Sequence, residues 1–344
     1  MVCATVLVPT HEHAWTLPYA VGSALSQTVA DLEVFIVGDG PTEETRAAAR
    51  KLAAADGRVR FFDNPKGPRL GEVLRHAALQ EARGEIVCYL ADDDLWLPHH
   101  VAEMLRLLRD ADFAHTLPVG VRPDGTLMTW QADLRLPYFR EMLLSGVNQV
   151  PLSCAAHTLA AYRRLPHGWR TTPEGTATDL YMWQQFLAQP WCRAASGTRL
   201  TAVVFPSPDR LEWTPRQREE EIRAWMERLA TPEGRAELTA SLVTHLTDLR
   251  VERAMGVYTL EQHLAAATQE RDRLRAELAA LEAAHATLAA RAAALEEEAS
   301  ALREELAAIR RLPSWRLRQR VLRHPVGARL LRWVGRALAG PGAS

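Results

Sequence analysis

Over its first 115 residues the sequence alternates short apolar runs with helical patterns, and that rhythm leaves few folds open. Thr5-Val6-Leu7-Val8, Leu32 to Val37, Val59 to Phe62 and Ile86 to Leu90 read as strands. Leu17 to Leu25, Glu43 to Ala55 and Leu70 to Ala82 carry helical spacing between them, and Val101 to Leu108 closes the series. Short strands separated by helices of about 12 residues imply parallel βαβ units. The fold class expected is therefore α/β, with a Rossmann-like, mostly parallel sheet flanked by helices.

Ligands in such sheets bind beyond the carboxyl ends of the strands. Three polar clusters fall there: Pro9 to His13, Gly38-Asp39-Gly40, and Asp92-Asp93-Asp94. The last follows the apolar run Ile86 to Leu90 directly. Three adjacent carboxylates repel one another and are costly at a strand end unless a cation or a hydrogen-bond network neutralises them. The plainer alternative is a solvated acidic turn that caps the next helix, which Pro98 is expected to open.

Length and charge bound the rest. With 344 residues, two or three domains are expected. The formal net charge of -1 implies no polyanionic partner, and nucleic acid is not expected as one. The charge is unevenly spread: no acid follows Glu305, whereas Arg recurs to Arg336, and Lys51 and Lys66 are the only lysines. Cys3, Cys88, Cys154 and Cys192 stand far apart without metal-ligand spacing, which fits a reducing cytosol. The N-terminus opens on a strand, Val2 to Val8, without the features of a signal peptide. No run of about 18 uncharged apolar residues occurs, so no transmembrane helix is expected. The expected location is cytoplasmic, with a peripheral place at the inner face of the plasma membrane if the tail described below binds lipid.

Residues 116 to about 212 are less periodic and rich in Pro, Trp and His, except for a clear helix from Thr178 to Leu187. Asp179 near its start reads either as a functional acid or as a cap. Residues 215 to 255 read as one or two polar helices. From Leu260 a heptad pattern takes over. One seam carries Leu260, Ala267, Leu274, Leu281, Leu288, Leu295, Leu302 and Ile309; the other carries Leu264, Arg271, Leu278, His285, Ala292, Ala299 and Leu306. That is a coiled-coil signal for two or three strands, with His285 as a register-setting polar residue. Pro313 ends it. The tail then alternates Arg with Trp315, Leu322, Leu330, Leu331, Trp333 and Val334. A cationic amphipathic segment bearing Trp suits an anionic membrane surface; docking on a protein and nonspecific nucleic-acid binding are the alternatives.

Five ordered motifs carry a family resemblance: Thr5-Val6-Leu7-Val8-Pro9-Thr10, Leu25-Ser26-Gln27-Thr28, Val34-Phe35-Ile36-Val37-Gly38-Asp39-Gly40, Ala82-Arg83-Gly84-Glu85-Ile86, and Asp92 to Pro98. Together they resemble the family 2 glycosyltransferases of the GT-A fold, through Thr178-Asp179 and about residue 190. The resemblance implies a GT-A nucleotide-diphospho-sugar transferase at 1–212, followed by an all-α coiled coil. Residues 1–115 would be the donor-nucleotide half and 116–212 the acceptor half. A helical connector at 213–256, the coiled coil at 257–311 and an Arg/Trp-rich tail at 312–344 complete the expected layout.

By the same resemblance Asp93 is the ligand of a divalent cation, Mn²⁺ or Mg²⁺, which neutralises the leaving diphosphate. Asp92 faces the ribose or shares the metal. Asp39 hydrogen-bonds the nucleoside, Pro9 and Thr10 line the base pocket, and Arg69 contacts phosphate. Asp179 matches the catalytic base, and a single base without a nucleophile implies inversion. Four positions depart from the family pattern. Gly38 and Ala91 stand where acids are usual, His11-Glu12 replaces Tyr-Asn, and Thr178 replaces the Glu before the base.

The function expected is an inverting, metal-dependent transfer from a nucleotide-diphosphate sugar to a hydroxyl. The acceptor would be a glycan or lipid-linked molecule in bacterial cell-surface polysaccharide synthesis of the O-antigen or capsule type. The coiled coil would hold a homo-oligomer or another partner. Two other readings stand: a non-catalytic, degenerate transferase serving as a membrane-associated coiled-coil scaffold, and a soluble transferase with the coiled coil as its dimerisation arm.

Overall fold

A computed structural model describes residues 2–130 and 132–338. The expected tail therefore continues beyond the described residues at 339–344. The chain forms two compact units, Met1–Val251 and Glu252–Ser344. Residues 213–251, set apart as a connector by the sequence, belong to the first unit.

The first unit is built on βαβ repeats: β1 (Ala4–Thr10), α1 (Leu17–Leu25), β2 (Leu32–Asp39), α2 (Glu43–Ala55), β3 (Val59–Asn64), α3 (Glu72–Leu79) and β4 (Ile86–Tyr89). β5 (Leu95–Trp96), α4 (His100–Leu107) and β6 (Phe113–Leu117) follow. Later come β9 (Ala155–Thr158), α6 (Leu159–Arg164), α7 (Thr178–Leu187) and β10 (Ala194–Leu200), after the hairpin β7 (Val119–Val121) and β8 (Leu127–Thr129) and helix α5 (Pro137–Leu144). Seven strands form one sheet in the order β10-β6-β9-β4-β1-β2-β3. All its pairings are parallel except those of β9, which lies antiparallel between β4 and β6.

The central strands are apolar on both faces because both faces are covered. On one side Val6, Val34, Ile36 and Cys88 pack under α1, α2 and α4. On the other, Leu7, Phe35, Val87 and Tyr89 meet α3, α6 and α7, whose Trp183 and Phe186 are fully buried. A third cluster joins Leu95, Val119 and β11 (Ala202–Val203) to Ile222 and Leu229 of α8 (Pro215–Ala230) and to Leu238 and Leu242 at the start of α9 (Pro232–Arg311).

Two helix starts differ from the sequence reading. Pro98 does not open α4, because Leu95-Trp96 pairs antiparallel with Ala202-Val203 and the Leu97 amide donates to Thr201 O. Those bonds hold the chain extended to Leu97, and a turn closed by the His100 amide on Leu97 O at 3.1 Å leads into the helix. α3 starts at Glu72 rather than Leu70, because Gly71 takes the left-handed conformation at φ +70 and serves as its N-cap. β9 was not anticipated. Ala155-Ala156-His157-Thr158 has little strand propensity, but its small side chains suit a strand packed on both faces.

His157 lies in the core of that inserted strand. Its Nε2 accepts from Tyr89 Oη at 2.6 Å and its Nδ1 donates to Thr158 O at 3.0 Å. Burial holds its pKa down at about 4. The folded state thus keeps the ring neutral where the unfolded chain protonates it below about pH 6.5. Stability from this group is present above that value and is lost as pH falls towards 4, by about 1.4 kcal/mol per pH unit. Buried carboxyls such as Asp94, raised to about 8, run the other way, so the difference between variants is the informative quantity. His157→Gln is expected to remove that slope from urea-denaturation free energies measured between pH 4 and 6.5. An unchanged slope would show that His157 does not titrate between the two states.

α9, 80 residues in all, begins in the first unit; its portion from Glu252 on belongs to the second, carries the heptad seam, and is followed by α10 (Pro313–Arg323) and α11 (Pro325–Leu338). Each of these two begins with Pro, whose missing N–H is harmless at a first helical position. Leu260, Leu264, Leu274, Leu281 and Leu288 are all more than half exposed. No described helix is long and apolar enough to cross a membrane.

Candidate active site

The carboxyl ends of β1, β2 and β4 meet at one edge of the sheet. There a cleft of about 300 Å³ is lined by Pro9, Thr10, His11, Glu12, His13, Asp39, Lys66, Arg69, Leu70, Arg75 and Asp92. Parallel register brings Pro9 and Thr10 beside Val37 and Gly38, so the first two polar clusters are neighbours by strand pairing alone.

Asp39 ends β2 and is clasped by the loop that follows β3. Its Oδ1 accepts from the Gly67 amide at 2.6 Å and its Oδ2 from Lys66 Nζ at 2.5 Å. Lys66 Nζ also donates to Arg69 O at 2.7 Å. Arg69 is the described non-glycine residue with positive φ, at 55, a conformation that costs of order 1–3 kcal/mol. Two glycines make the clasp sterically feasible. A Cβ on Gly71 would lie 2.6 Å from Asp39 Cγ, and one on Gly40, at φ +59, would lie 2.7–2.9 Å from Lys66 atoms.

The acidic triplet is buried and partnered throughout. Asp92 Oδ1 meets His13 Nδ1 at 2.7 Å. Asp93 is bonded by Arg218 Nη2, from α8, and by Ser207 Oγ at 2.9 Å. Asp94 accepts from Ser153 Oγ at 2.5 Å and from the Phe205 amide at 2.8 Å. The Asp92 hydrogen bond raises the His13 pKa to about 9, against the effect of burial. Burial and then the neighbouring Asp92 push the Asp93 pKa up, while His13 and Arg218 oppose that rise. Burial likewise lifts Asp94 to about 8. The two carboxylates at 92 and 93 are thus balanced by two cationic groups of the chain itself.

His13, Asp92 and Asp93 each offer a ligand atom, all within 4.8 Å of one another. Two carboxylates and one imidazole form a donor set compatible with Mn²⁺ or Mg²⁺. The set fits such an ion provided that His13 gives up its proton and Arg218 yields its place on Asp93.

The cleft also holds unsatisfied polar groups. Thr10 Oγ1 and Arg75 Nε are buried without a hydrogen-bond partner. Arg75 lies 4.8 Å from the centroid of the Trp169 ring and gives Leu70 O a bond of 3.0 Å. Burial lowers its pKa, and the charges of Glu72, Asp179 and Asp39 counter that. Asp179 lies in the first turn of α7, with Oδ1 accepting from Asn148 Nδ2 at 3.0 Å and from the Leu180 amide at 2.8 Å. Burial pushes its pKa up.

Five of the residues singled out from sequence, Pro9, Thr10, Asp39, Arg69 and Asp92, line the cleft. Asp93 is turned towards Ser207 and Arg218 instead, and Asp179 stands beyond Arg75, outside the lining. The sequence reading did not single out His13, Lys66, Arg75 or Arg218. Lys66 carried a signal, being one of two lysines in an arginine-rich chain. Arg218 carried none, since it reaches Asp93 across 125 positions.

The sequence model of the group described as "Glycosyl transferase family 2" matches residues 5–167. A chondroitin synthase of Pasteurella multocida (strain Pm70) is 35% identical over 127 residues, covering 36% of this chain and 13% of that protein. A GalNAc(5)-diNAcBac-PP-undecaprenol beta-1,3-glucosyltransferase of Campylobacter jejuni is 27% identical over 111 residues, covering 32% of this chain and 36% of the relative. The chain thus spans well under two thirds of the length of these relatives. Among solved structures, S. aureus TarS 1-349 in complex with UDP-GlcNAc aligns with a TM-score of 0.46 at 16% identity, over 59% of this chain and 58% of that one.

Proposed function

Residues 5–167 form a domain of glycosyl transferase family 2, and on that premise we propose that the chain transfers a sugar from a nucleoside-diphosphate donor to a hydroxyl acceptor. The observation that carries this reading is the cleft itself. It sets a clasped carboxylate, Asp39, and three cationic side chains, Lys66, Arg69 and Arg75, beside the acidic pair Asp92 and Asp93. Two of its polar groups, Thr10 Oγ1 and Arg75 Nε, await a partner.

In this reading Asp39 with its loop receives the nucleoside, against Pro9 and Thr10. Lys66, Arg69 and Arg75 face the diphosphate, and charge-assisted bonds to phosphate oxygens are the strong kind. His13, Asp92 and Asp93 would hold Mn²⁺ or Mg²⁺, which, when bound, supplies Lewis-acid neutralisation of the leaving group. Asp179 takes the proton of the attacking hydroxyl, and its raised pKa suits that role. One base without a nucleophile corresponds to a single displacement with inversion. The acceptor proposed is a glycan or a lipid-linked glycan of bacterial surface polysaccharide. Support comes from the names of the two relatives and from the basic, Trp-bearing tail that opens Ser314-Trp315-Arg316-Leu317. That tail would bring the enzyme to the inner membrane face.

Calorimetric titration with uridine, guanosine and thymidine diphosphates, with and without Mn²⁺, tests the proposal. One nucleotide is expected to bind, more tightly with the cation. Asp39→Ala should weaken binding about 10–100-fold with or without metal, as loss of a bond to a charged group does. Asp93→Asn should remove only the cation-dependent part. If none of the three binds to folded protein, the donor reading fails and the scaffold reading replaces it.

A further inference from the structure

The leucine stripe of α9 lies exposed within one chain, and its flanking charges say what covers it. Leu260, Leu274, Leu281, Leu288, Leu295 and Leu302 occupy the d positions of the repeat, which places Leu264, Arg271, Leu278 and His285 at a. We propose that this face pairs with a second copy of the same chain, parallel and in register, as a two-stranded coiled coil.

Charge complementarity decides the direction. In a parallel, in-register pair each g residue meets the e residue five positions later on the partner copy. Glu270 then meets Arg275, Arg291 meets Glu296, Glu298 meets Arg303, and Glu305 meets Arg310; only Glu277 meets a like charge, Glu282. Each pair occurs twice by symmetry. The antiparallel overlap that sets Leu264 against Ile309 instead places Glu270 against Glu305 and Glu277 against Glu298. Those repulsions cancel its two attractive contacts, Glu261 with Arg310 and Arg275 with Glu296.

The polar core positions agree. In parallel register Arg271 and His285 each face their own copy, so polar meets polar at two layers. A slip of one heptad, or a reversal of direction, would drive Arg271 against a leucine. A single polar a layer is a recognised means of fixing register at some cost in stability. Strand number follows from the same layer. Two guanidiniums at position 271 can splay outwards to solvent past Glu270, whereas three would converge on one axis.

The test uses the full-length chain. Light scattering is expected to give twice the 38.3 kDa chain mass, and Leu281→Glu with Leu288→Glu should return the single mass. Leu288→Cys should form a disulfide-linked dimer under mild oxidation, beyond any background from the half-buried Cys3 in unmodified protein run alongside. Leu264→Cys and Ile309→Cys should each cross-link to its own kind, and a mixture of the two should yield no 264–309 disulfide on peptide mapping. A monomer or trimer mass, or 264–309 disulfides in preference to like-to-like ones, would overturn the proposal.

Discussion

Replacing Trp183 with alanine is expected to lower unfolding stability by about 3–5 kcal/mol, the range for deleting a large buried aromatic. Trp183 is fully buried, and its ring lies 5.4 Å from Tyr89, 5.2 Å from Phe113 and 6.0 Å from Trp169. Its Nε1 donates to Val150 O at 2.9 Å, so the substitution also leaves a buried carbonyl without its donor. Trp183→Phe should recover much of the packing but not the hydrogen bond. Urea denaturation read by near-UV circular dichroism measures both. A loss below about 1 kcal/mol for the alanine variant would mean that this cluster does not anchor α7. The anchor matters because Asp179 lies one helical turn before Trp183 on the same helix.

The second large effect concerns that acid. With Asp179→Asn, turnover of donor and acceptor should fall about 10²–10⁴-fold, the usual contribution of a positioned general base. Affinity for the nucleotide should stay within about threefold, because Asp179 stands outside the cleft lining. The amide oxygen can still accept from Asn148, so the fold should persist. In the unaltered enzyme the rate should rise with pH through the elevated Asp179 pKa, because the base acts only when ionised. In the asparagine variant that limb should disappear. Release of nucleoside diphosphate, followed alongside calorimetric donor affinity, separates the outcomes. Unchanged turnover, or a loss matched by weaker donor binding, would remove Asp179 from the role of base.

Residues at strand ends were legible because parallel topology leaves them one place to go. Pro9, Thr10, Asp39 and Asp92 follow apolar runs that can only be buried strands, and strand pairing then sets them side by side. Long-range partners were not legible. Arg218 and Ser207 lie in polar stretches without periodic or motif signal, yet Arg218 neutralises Asp93 and Ser207 donates a hydrogen bond to it. β9 escaped for a related reason. Ala155-Ala156-His157-Thr158 holds a single β-branched residue, Thr158, and no Val, Ile, Phe, Tyr or Trp, so little marks it as a strand. The sequence also suggested a connector ending near residue 256, whereas α9 runs unbroken from Pro232. Heptad periodicity marks where a helix has a partner face, not where the helix starts.

The leucines of the long stripe from Leu260 to Ile309 are exposed among the described residues. Most helical stability in water comes from the packing of an apolar face rather than from intrinsic propensity. A lone copy of this arm would therefore sit near the balance between helix and coil, and pairing would tip it. With the proposed pairing, folding of the arm and association would become one equilibrium, governed by mass action. On dilution the arm should lose far-UV ellipticity while the sheet-based unit keeps its own. Its stiffness would then be set by copy number, an arm rigid when the protein is abundant and slack when it is scarce.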